Sequence, residues 1–276
     1  MFAPIDALIA ALRERGFDAY GAFVSSLKAK GVADWLRVHF AQAAPAVIVN
    51  ATAFSAIGDD GTTPFDTASC PVFQVALSTA RREDWDQSLR GLSPGDLAMH
   101  VVLPEVDGRL FAGVVSFKSA GERDPDLQFA HVAHRPDGER IDAVAARVAA
   151  WRRLADKSAS AKRLAIVLSN YPGHPHQIAH AVGLDALASV EALLSDLGDA
   201  GFDVEPVGAL GEVLLGQELT WSVSDYRAAL SRLPRPLRDD VARAWRAPEE
   251  DPSCRDGEFR FAAARRGKAI IAPPGD

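Results

Sequence analysis

The sequence contains little cysteine, and its two cysteines are not arranged as in a disulfide-stabilised or zinc-binding protein. Cys70 and Cys254 lie far apart and form no CxxC pair. Disulfide frameworks and structural zinc sites need closely spaced sets of cysteine or histidine ligands. The sequence therefore argues against both classes, and it favours a reducing compartment.

Positive charge and long apolar runs are also scarce. Thirty lysines and arginines are outnumbered by 37 aspartates and glutamates, which gives a formal net charge of −7. Nucleic-acid-binding domains present a basic surface to phosphates, so nucleic acid is not an expected partner. No apolar run approaches the roughly 18 residues of a membrane span, and the first residues lack the basic start and cleavage site of a signal peptide. We therefore expect a cytoplasmic protein with no membrane partner.

The common nucleotide-binding and metalloprotease signatures are absent. The chain has no GxxxxGK[ST] phosphate loop, no GxGxxG after a predicted strand and no HExxH motif. Residues 91–95 match the GxSxG pattern of hydrolases, but Pro94 lacks the backbone N–H that would help to stabilise an oxyanion. Ser93 is therefore interpreted as the N-cap of a helix, and any ATP chemistry must come from a partner.

What is present is the pattern of an α/β protein. The chain has 276 residues, of which 48% are hydrophobic and 24% charged, as in ordinary globular proteins. Short apolar runs alternate with helical patterns, which favours parallel strands joined by helices. A small polar linker near residue 160 divides the pattern. We expect two α/β units, 1–160 and 161–276, each with a mainly parallel sheet flanked by helices.

The periodicity predicts the following elements. In the first unit, helices are expected at 4–15, 31–42, from Ser93 and at 137–154, with strands at 18–24, 46–50, 72–75 and 111–117. In the second unit, strands are expected at 164–169 and 202–207, with helices at 186–199, 208–217, 223–231 and 236–246.

Two groups of polar residues follow predicted apolar runs. Open α/β sheets bind ligands beyond the carboxyl ends of their strands, so Asn50, Thr52 and Ser55 are candidates to hold polar substituents, or they simply end the strand. Glu105 and Asp107 lie at a proline- and glycine-marked turn, where carboxylates can take up protons or attract a cation. The alternative is that Glu105 faces solvent and Asp107 forms an Asx turn with the following glycine.

The histidines are a third group. His131 and His134 are close in sequence, and His174, His176 and His180 follow as H-P-H-x-x-x-H. Neutral imidazoles ligate metals, so the last three are candidate ligands. Their position in a predicted loop fits exposed loop residues better.

Several stretches together resemble one family of large chelatase subunits. These stretches are residues 23–28 (FVSSLK), 50–55 (NATAFS), 91–94 (GLSP), 96–108 (DLAMHVVLPEVDG), 116–118 (SFK), 169–172 (SNYP), 182–185 (VGLD), 188–189 (AS) and 257–259 (GEF). In this order they are similar to the large subunit of aerobic cobaltochelatase, the CobN family, and more distantly to the H subunit of magnesium chelatase. The NATAFS, NYP and VGLD stretches favour the cobalt branch.

The resemblance implies an ATP-dependent insertion of Co²⁺ into hydrogenobyrinic acid a,c-diamide during cobalamin synthesis. The large subunit would hold the tetrapyrrole, and the partner subunits CobS and CobT would hydrolyse ATP. The family's large subunits are several times longer, so the chain is expected to be a fragment. The alternatives are a magnesium chelatase subunit that inserts Mg²⁺ into protoporphyrin IX, and a noncatalytic scaffold that docks partner subunits.

The same resemblance ranks the candidate residues. Metal insertion displaces two inner ring protons, which requires carboxylate or imidazole bases. Glu105 and His100 are the expected catalytic residues, because they lie in the longest matching motif. The expected substrate-binding residues are Asn50, Thr52, Ser55, Asp107, Asn170, Tyr171 and Asp185. The loop after NYP departs from the family pattern, so the resemblance does not make His174 and His176 family ligands.

Overall fold

The computed structural model describes residues 2–169, 179–181 and 183–273. The chain is divided into two compact units, Met1–Asp156 and Lys157–Asp276. Helices and strands alternate through both, and the α/β class expected from the sequence is confirmed. In the described part of the chain, no helix combines the length and apolarity that crossing a bilayer requires.

The first unit is built on a four-stranded sheet. Its strands are β1 (Ile48–Asn50), β2 (Val72–Leu77), β3 (Leu110–Asp124) and β4 (Phe129–Pro136), in that spatial order. β1, β2 and β3 run parallel, and β4 pairs antiparallel with β3. The carboxyl ends of the three parallel strands therefore lie along one edge of the sheet, where open α/β sheets bind ligands.

Helices surround this sheet. They are α1 (Ala3–Glu14), α2 (Val32–Gln42), α3 (Arg82–Asp86), α4 (Pro94–Leu97), α5 (Leu103–Val106) and α6 (Gly138–Ala155). Leu8 and Leu12 lie on one face of α1 and pack in a core with Val75, Val115 and Val148. All five side chains are buried, so α1 and α6 are held to the sheet by apolar contact.

One continuous helical segment joins α4 to α5 through a π-helical turn, Ala98–Val102. As predicted, Ser93 is the N-cap of α4, and its hydroxyl accepts a hydrogen bond from the Asp96 N–H at 3.1 Å. Pro104 has no N–H to donate to the carbonyl four residues earlier, and the N–H of Leu103 bonds instead to the Ala98 carbonyl, five residues back. Such wider turns are frequent at functional sites.

The described part of the second unit contains smaller sheets and four α-helices. Its strands are β5 (Leu164–Val167), β6 (His180–Ala181), β7 (Leu184–Asp185), β8 (Glu218–Ser222), β9 (Cys254–Arg255), β10 (Glu258–Ala262), β11 (Ala264–Arg266) and β12 (Ala269–Ala272). Its helices are α7 (Ala186–Asp199), α8 (Leu210–Gly216), α9 (Val223–Leu230) and α10 (Arg235–Trp245). Leu194, Leu210 and Ile271 are fully buried in its core.

The expectation of a mainly parallel sheet holds in the first unit and is wrong in the second. In the described part of the second unit, only β5 and β12 pair parallel, whereas β8, β9, β10 and the β11–β12 pair run antiparallel. The physical reason is the short connections. Gly267 and Lys268 alone join β11 to β12, and only antiparallel strands can be joined by two residues.

Two predicted strands are absent. Residues 18–24 have no strand partner, because this segment packs on α1: Arg13 Nε donates to the Ala19 carbonyl at 2.8 Å, and a Cβ at Gly21 would lie 3.0 Å from the Ile9 side chain. Residues 202–207 form a loop, and the Asp203 carbonyl accepts from the Lys268 N–H in the turn before β12. In both cases an apolar pattern marks packing without strand pairing.

Candidate functional site

The loop after β1 is organised by a buried asparagine. Asn50 is the last residue of β1, and its side-chain amide donates to Gln74 Oε1 on the neighbouring strand at 2.7 Å. Its carbonyl oxygen accepts from the N–H and hydroxyl of Thr52, at 3.3 and 3.0 Å. Asn50 therefore fixes the direction in which the chain leaves the sheet, and Thr52 is held at the carboxyl edge.

A carboxylate from the turn after α5 continues this network. Asp107 accepts hydrogen bonds from the Ser55 hydroxyl at 2.5 Å and from the Ala56 N–H at 2.6 Å. It also forms an ion pair with Arg109 at 2.5 Å. The structure thus joins Asp107 to Ser55, and through Arg109 to the asparagine network, as one polar cluster.

Arg109 is the central residue of this cluster. Its guanidinium donates to Gln74 Oε1 at 3.2 Å and to the Phe54 carbonyl at 3.4 Å, and it lies 5.5 Å from the centroid of the Phe65 ring. Burial lowers the pKa of Arg109, and the Asp107 carboxylate opposes that shift. Arg109 and Gln74 are not among the residues predicted from the sequence. A glutamine inside the apolar run V-F-Q-V was the available signal, because buried polar side chains need partners.

A second buried carboxylate lies where β2 ends. Asp96 accepts from the N–H and the hydroxyl of Thr79, at 2.8 and 3.0 Å, and from the Ser78 hydroxyl at 3.2 Å. Its side chain therefore ties the start of the 93–107 helical segment to the exit of β2. This role was also missed, and the Ser-Thr pair directly after a buried strand was its signal.

His100 lies in the π-helical turn and is 8% exposed. Its Nδ1 has no hydrogen-bond partner among the described residues. Burial lowers the pKa of His100, and the nearby Asp96 carboxylate acts in the opposite direction. The neighbouring Met99 carbonyl accepts from the Phe54 N–H at 2.8 Å, which ties the turn to the loop after β1. A neutral imidazole with an unused nitrogen can accept a proton.

His134 is a second histidine on this sheet. It lies on β4, and its Nδ1 is 3.2 Å from the Ser116 hydroxyl on β3. Burial lowers its pKa, and the positive charge of Lys118, its register partner on β3, lowers it further. The sequence analysis noted His134 only as part of a histidine-rich stretch.

Glu105 lies on α5, two residues before Asp107, and it is exposed. Among the described residues, its carboxylate has no hydrogen-bond or ion-pair partner. The neighbouring Asp107 side chain is saturated by internal contacts, whereas the Glu105 carboxylate can meet a molecule from solvent. The two carboxylates of this turn therefore have different environments, and only Glu105 is open to a ligand.

The remaining predicted site residues lie outside this polar network. Asp185 belongs to the second unit and caps α7, where its side chain accepts from the Ala188 N–H at 2.9 Å. His180 begins β6. The candidates Asn170, Tyr171, His174 and His176 lie outside the described residues. Within the described ranges, no three histidine, cysteine or acidic side chains form a group that could hold a metal.

These contacts bring Asn50, Thr52, Ser55 and Asp107 together in one network, with His100 in the adjoining turn. Two cavities flank the first sheet. One, of about 350 Å³, lies near the strand starts and is lined by residues such as Val47, Cys70 and Trp151. The other lies beyond the carboxyl end of β2 and beside the middle of β3. Polar groups at the exit of β1 can meet substituents of a ligand, and bases on the helical segment that leads into β3 can take labile protons.

Comparison with known proteins identifies the family of the chain. The family description CobN/Magnesium Chelatase matches residues 1–274. The chain is 36% identical over 97% of its length to the aerobic cobaltochelatase subunit CobN of Sinorhizobium sp, and 34% identical over 94% to that of Pseudomonas aeruginosa. In both matches it spans 22% of the relative's length.

A chloroplastic magnesium-chelatase subunit ChlH from Oryza sativa is 31% identical over 55% of the chain and 10% of its own length. Among solved structures, the catalytic subunit of cobaltochelatase from Mycobacterium tuberculosis matches the whole chain with a TM-score of 0.76 and 27% identity, over 25% of that subunit. The family match covers nearly all of the chain, and the relatives agree with it in sequence and in fold. The chain therefore belongs to the CobN/magnesium chelatase family.

Proposed function

We propose that this chain is a tetrapyrrole-holding part of a cobaltochelatase large subunit, which inserts Co²⁺ into hydrogenobyrinic acid a,c-diamide for cobalamin synthesis. The observation that carries the proposal is the match of the whole chain to the cobaltochelatase catalytic subunit, with a TM-score of 0.76 at 27% identity. ATP hydrolysis is assigned to the partner subunits CobS and CobT, and the lack of a phosphate loop in the sequence is consistent with this. The free cysteines Cys70 and Cys254 suit a cytoplasmic location.

The proposed chemistry is the removal of two ring N–H protons as the metal enters. Glu105 is assigned as the principal base, because its carboxylate is exposed and has no internal partner in the described structure. His100 is assigned as the second base. Its lowered pKa keeps the imidazole neutral near pH 7, so the ring can accept a proton.

The polar network is assigned to the ring's polar substituents. Asn50, Thr52 and Ser55 line the exit of β1, and Asp107 holds this loop through Ser55 and the Ala56 N–H. Asp107 therefore acts on substrate through the loop that it positions. Asn170, Tyr171 and Asp185 belong to the second unit and remain predicted substrate-binding residues. His174, His176 and His180 are assigned no more than an accessory part in handling the metal.

Two alternative functions can be compared with cobalt insertion. Insertion of Mg²⁺ into protoporphyrin IX is favoured only by the ChlH similarity, which covers 55% of the chain against 97% for CobN. A noncatalytic scaffold that docks partner subunits would need neither a buried histidine without a hydrogen bond to its Nδ1 nor an exposed, unpaired carboxylate in the described structure.

The test is a titration of the chain with metal-free hydrogenobyrinic acid a,c-diamide and, separately, with protoporphyrin IX, followed by macrocycle absorbance. The proposal predicts a saturable spectral change with the corrinoid and a weaker one with the porphyrin. A preference for the porphyrin would favour the magnesium branch. No change with either macrocycle would favour the scaffold.

A further inference from the structure

A cavity of about 460 Å³ lies beyond the carboxyl end of β2 and beside the middle of β3, and its lining is rich in positively charged side chains. Six charged residues line it: Arg81, Arg82, Glu83, Lys118, Arg135 and Asp137. Four are positive and two are negative, although the whole chain carries a net charge of −7. This basic cleft, defined by these residues, therefore concentrates positive charge on an acidic protein.

Of the four positively charged side chains, only Arg82 forms an ion pair within the described part of the chain. Arg82 Nε lies 2.7 Å from Asp137, and its guanidinium also pairs with Asp86 and lies 5.3 Å from the centroid of the Phe117 ring. Among the described residues, Arg81, Lys118 and Arg135 have no acidic partner. Arg82 therefore helps to build the cleft wall, while three positive charges remain available to an external anion.

The cleft lies at the exit of β2, next to the residues that hold Asp96. The Lys118 N–H donates to the Ala80 carbonyl at 2.9 Å, and the cleft lining begins at Arg81, two residues after Thr79, which binds Asp96. Lys118 also lies opposite His134 in the β3–β4 register, and its charge lowers the pKa of that histidine. The cleft therefore lies beside the carboxyl end of β2, on the side of the sheet where open α/β sheets bind ligands.

We infer that the basic cleft is an anion subsite that takes peripheral carboxylates of the macrocycle, with Arg81, Lys118 and Arg135 as the binding residues. This inference rests on the proposed function. Hydrogenobyrinic acid a,c-diamide keeps acid groups beyond the two that are amidated, and these are charged near pH 7. Arginine binds carboxylates through two parallel N–H donors, and lysine contributes a point charge. The cleft thus selects for acid side chains on the ring.

The experiment compares two metal-free corrinoids that differ only at the periphery: hydrogenobyrinic acid a,c-diamide, and the analogue whose remaining acid groups are also amides. Amides are nearly the same size and carry no charge. Both are titrated, by absorbance, into the wild-type chain, Arg81→Gln, Lys118→Gln, Arg135→Gln and the triple variant. The matched control is Arg153→Gln, which replaces an exposed arginine of α6 outside the cleft. Circular dichroism of each variant checks that it is folded.

The inference predicts that each single variant weakens binding of the acid corrinoid about two- to fivefold, as for exposed charge pairs, and the triple variant about tenfold or more. Binding of the amide analogue should not change, and Arg153→Gln should match the wild type. Added salt should weaken the binding of hydrogenobyrinic acid a,c-diamide to the wild-type chain, and it should hardly change its binding to the triple variant.

The experiment distinguishes failure of this inference from failure of the proposed function. If the wild type binds both corrinoids and the variants change neither affinity, or change both equally, the cleft does not take ring carboxylates, and the proposed function stands. If the wild type binds neither corrinoid, the proposed function fails and the inference falls with it.

Discussion

The carboxylate of Asp107 lies 2.5 Å from the guanidinium of Arg109, and the two side chains are 0% and 1% exposed. Both charges have been removed from water, which is costly unless their remaining hydrogen-bonding groups find partners. Here Ser55 and the Ala56 N–H donate to Asp107, and Gln74 accepts from Arg109, whose Nε has no partner among the described residues. The pair therefore fixes the loop after β1 against the turn after α5.

Loss of the Asp107 charge should be strongly destabilising. Asp107→Asn leaves the Arg109 guanidinium buried without a counter-charge, and we expect the free energy of unfolding to fall by about 3–5 kcal/mol. Urea unfolding followed by circular dichroism measures this. The control is Asp142→Asn, which removes an exposed carboxylate paired with Arg15 and should change stability by less than about 1 kcal/mol. Equal losses of unfolding free energy in the two variants would contradict the conclusion that the buried pair stabilises the fold more than an exposed pair does.

Removal of the Ser93 hydroxyl should cost a helix cap and nothing more. Ser93→Ala deletes the acceptor of the Asp96 N–H, so we expect a loss of about 1 kcal/mol in urea unfolding. Ser195→Ala, at an exposed position within α7, should be neutral or slightly stabilising because alanine has the higher helix propensity. A Ser93→Ala variant as stable as the wild type would remove the capping assignment.

The stability of the chain should fall in mild acid because of His100. Burial lowers its folded-state pKa below the ordinary value of 6.5, so between these two values the unfolded chain binds more protons than the folded chain. His100 thus contributes stability above about pH 6.5, and that contribution is lost as the pH falls towards the folded-state pKa. The lowered pKa of His134 acts in the same direction.

The measurement is the free energy of unfolding at about pH 7.5 and about pH 5.5. His100→Gln should lose less stability than the wild type between these conditions. His131→Gln, which changes an exposed histidine on the same strand as His134, should follow the wild type. A His100→Gln variant with the wild-type pH dependence would show that His100 is not the titrating group.

Local sequence patterns predicted most of the helices, and capping residues predicted where helices begin or end. α1, α2, α6, α7, α9 and α10 lie close to their predicted ranges, and Ser93 caps as expected, because periodicity and capping depend on residues near in sequence. Asn50 and Thr52 were also recognisable as residues that follow a buried strand. These features required no knowledge of distant contacts.

Pairing between distant residues could not be predicted. Arg109 and Gln74 are 35 positions apart, and nothing in either local pattern indicates the other. Residues 202–207 have the apolar composition of a strand, but β12, more than 60 positions later, pairs with β5. The π-helical turn was partly foreseeable, because Pro104 interrupts a helical pattern and removes a donor.

The central claim is that Glu105 takes part in metal insertion. The decisive measurement is the initial rate of Co²⁺ insertion into hydrogenobyrinic acid a,c-diamide by a complete large subunit carrying this sequence, with saturating CobS, CobT and ATP. Glu105→Gln keeps the side-chain volume and removes the charge, and Glu14→Gln, an exposed change at the end of α1, is its control. The account predicts that Glu105→Gln lowers the rate by about 10²-fold or more with corrinoid affinity unchanged, while the control retains full activity. A near wild-type rate for Glu105→Gln would contradict the account and leave Glu105 as an exposed residue of a turn.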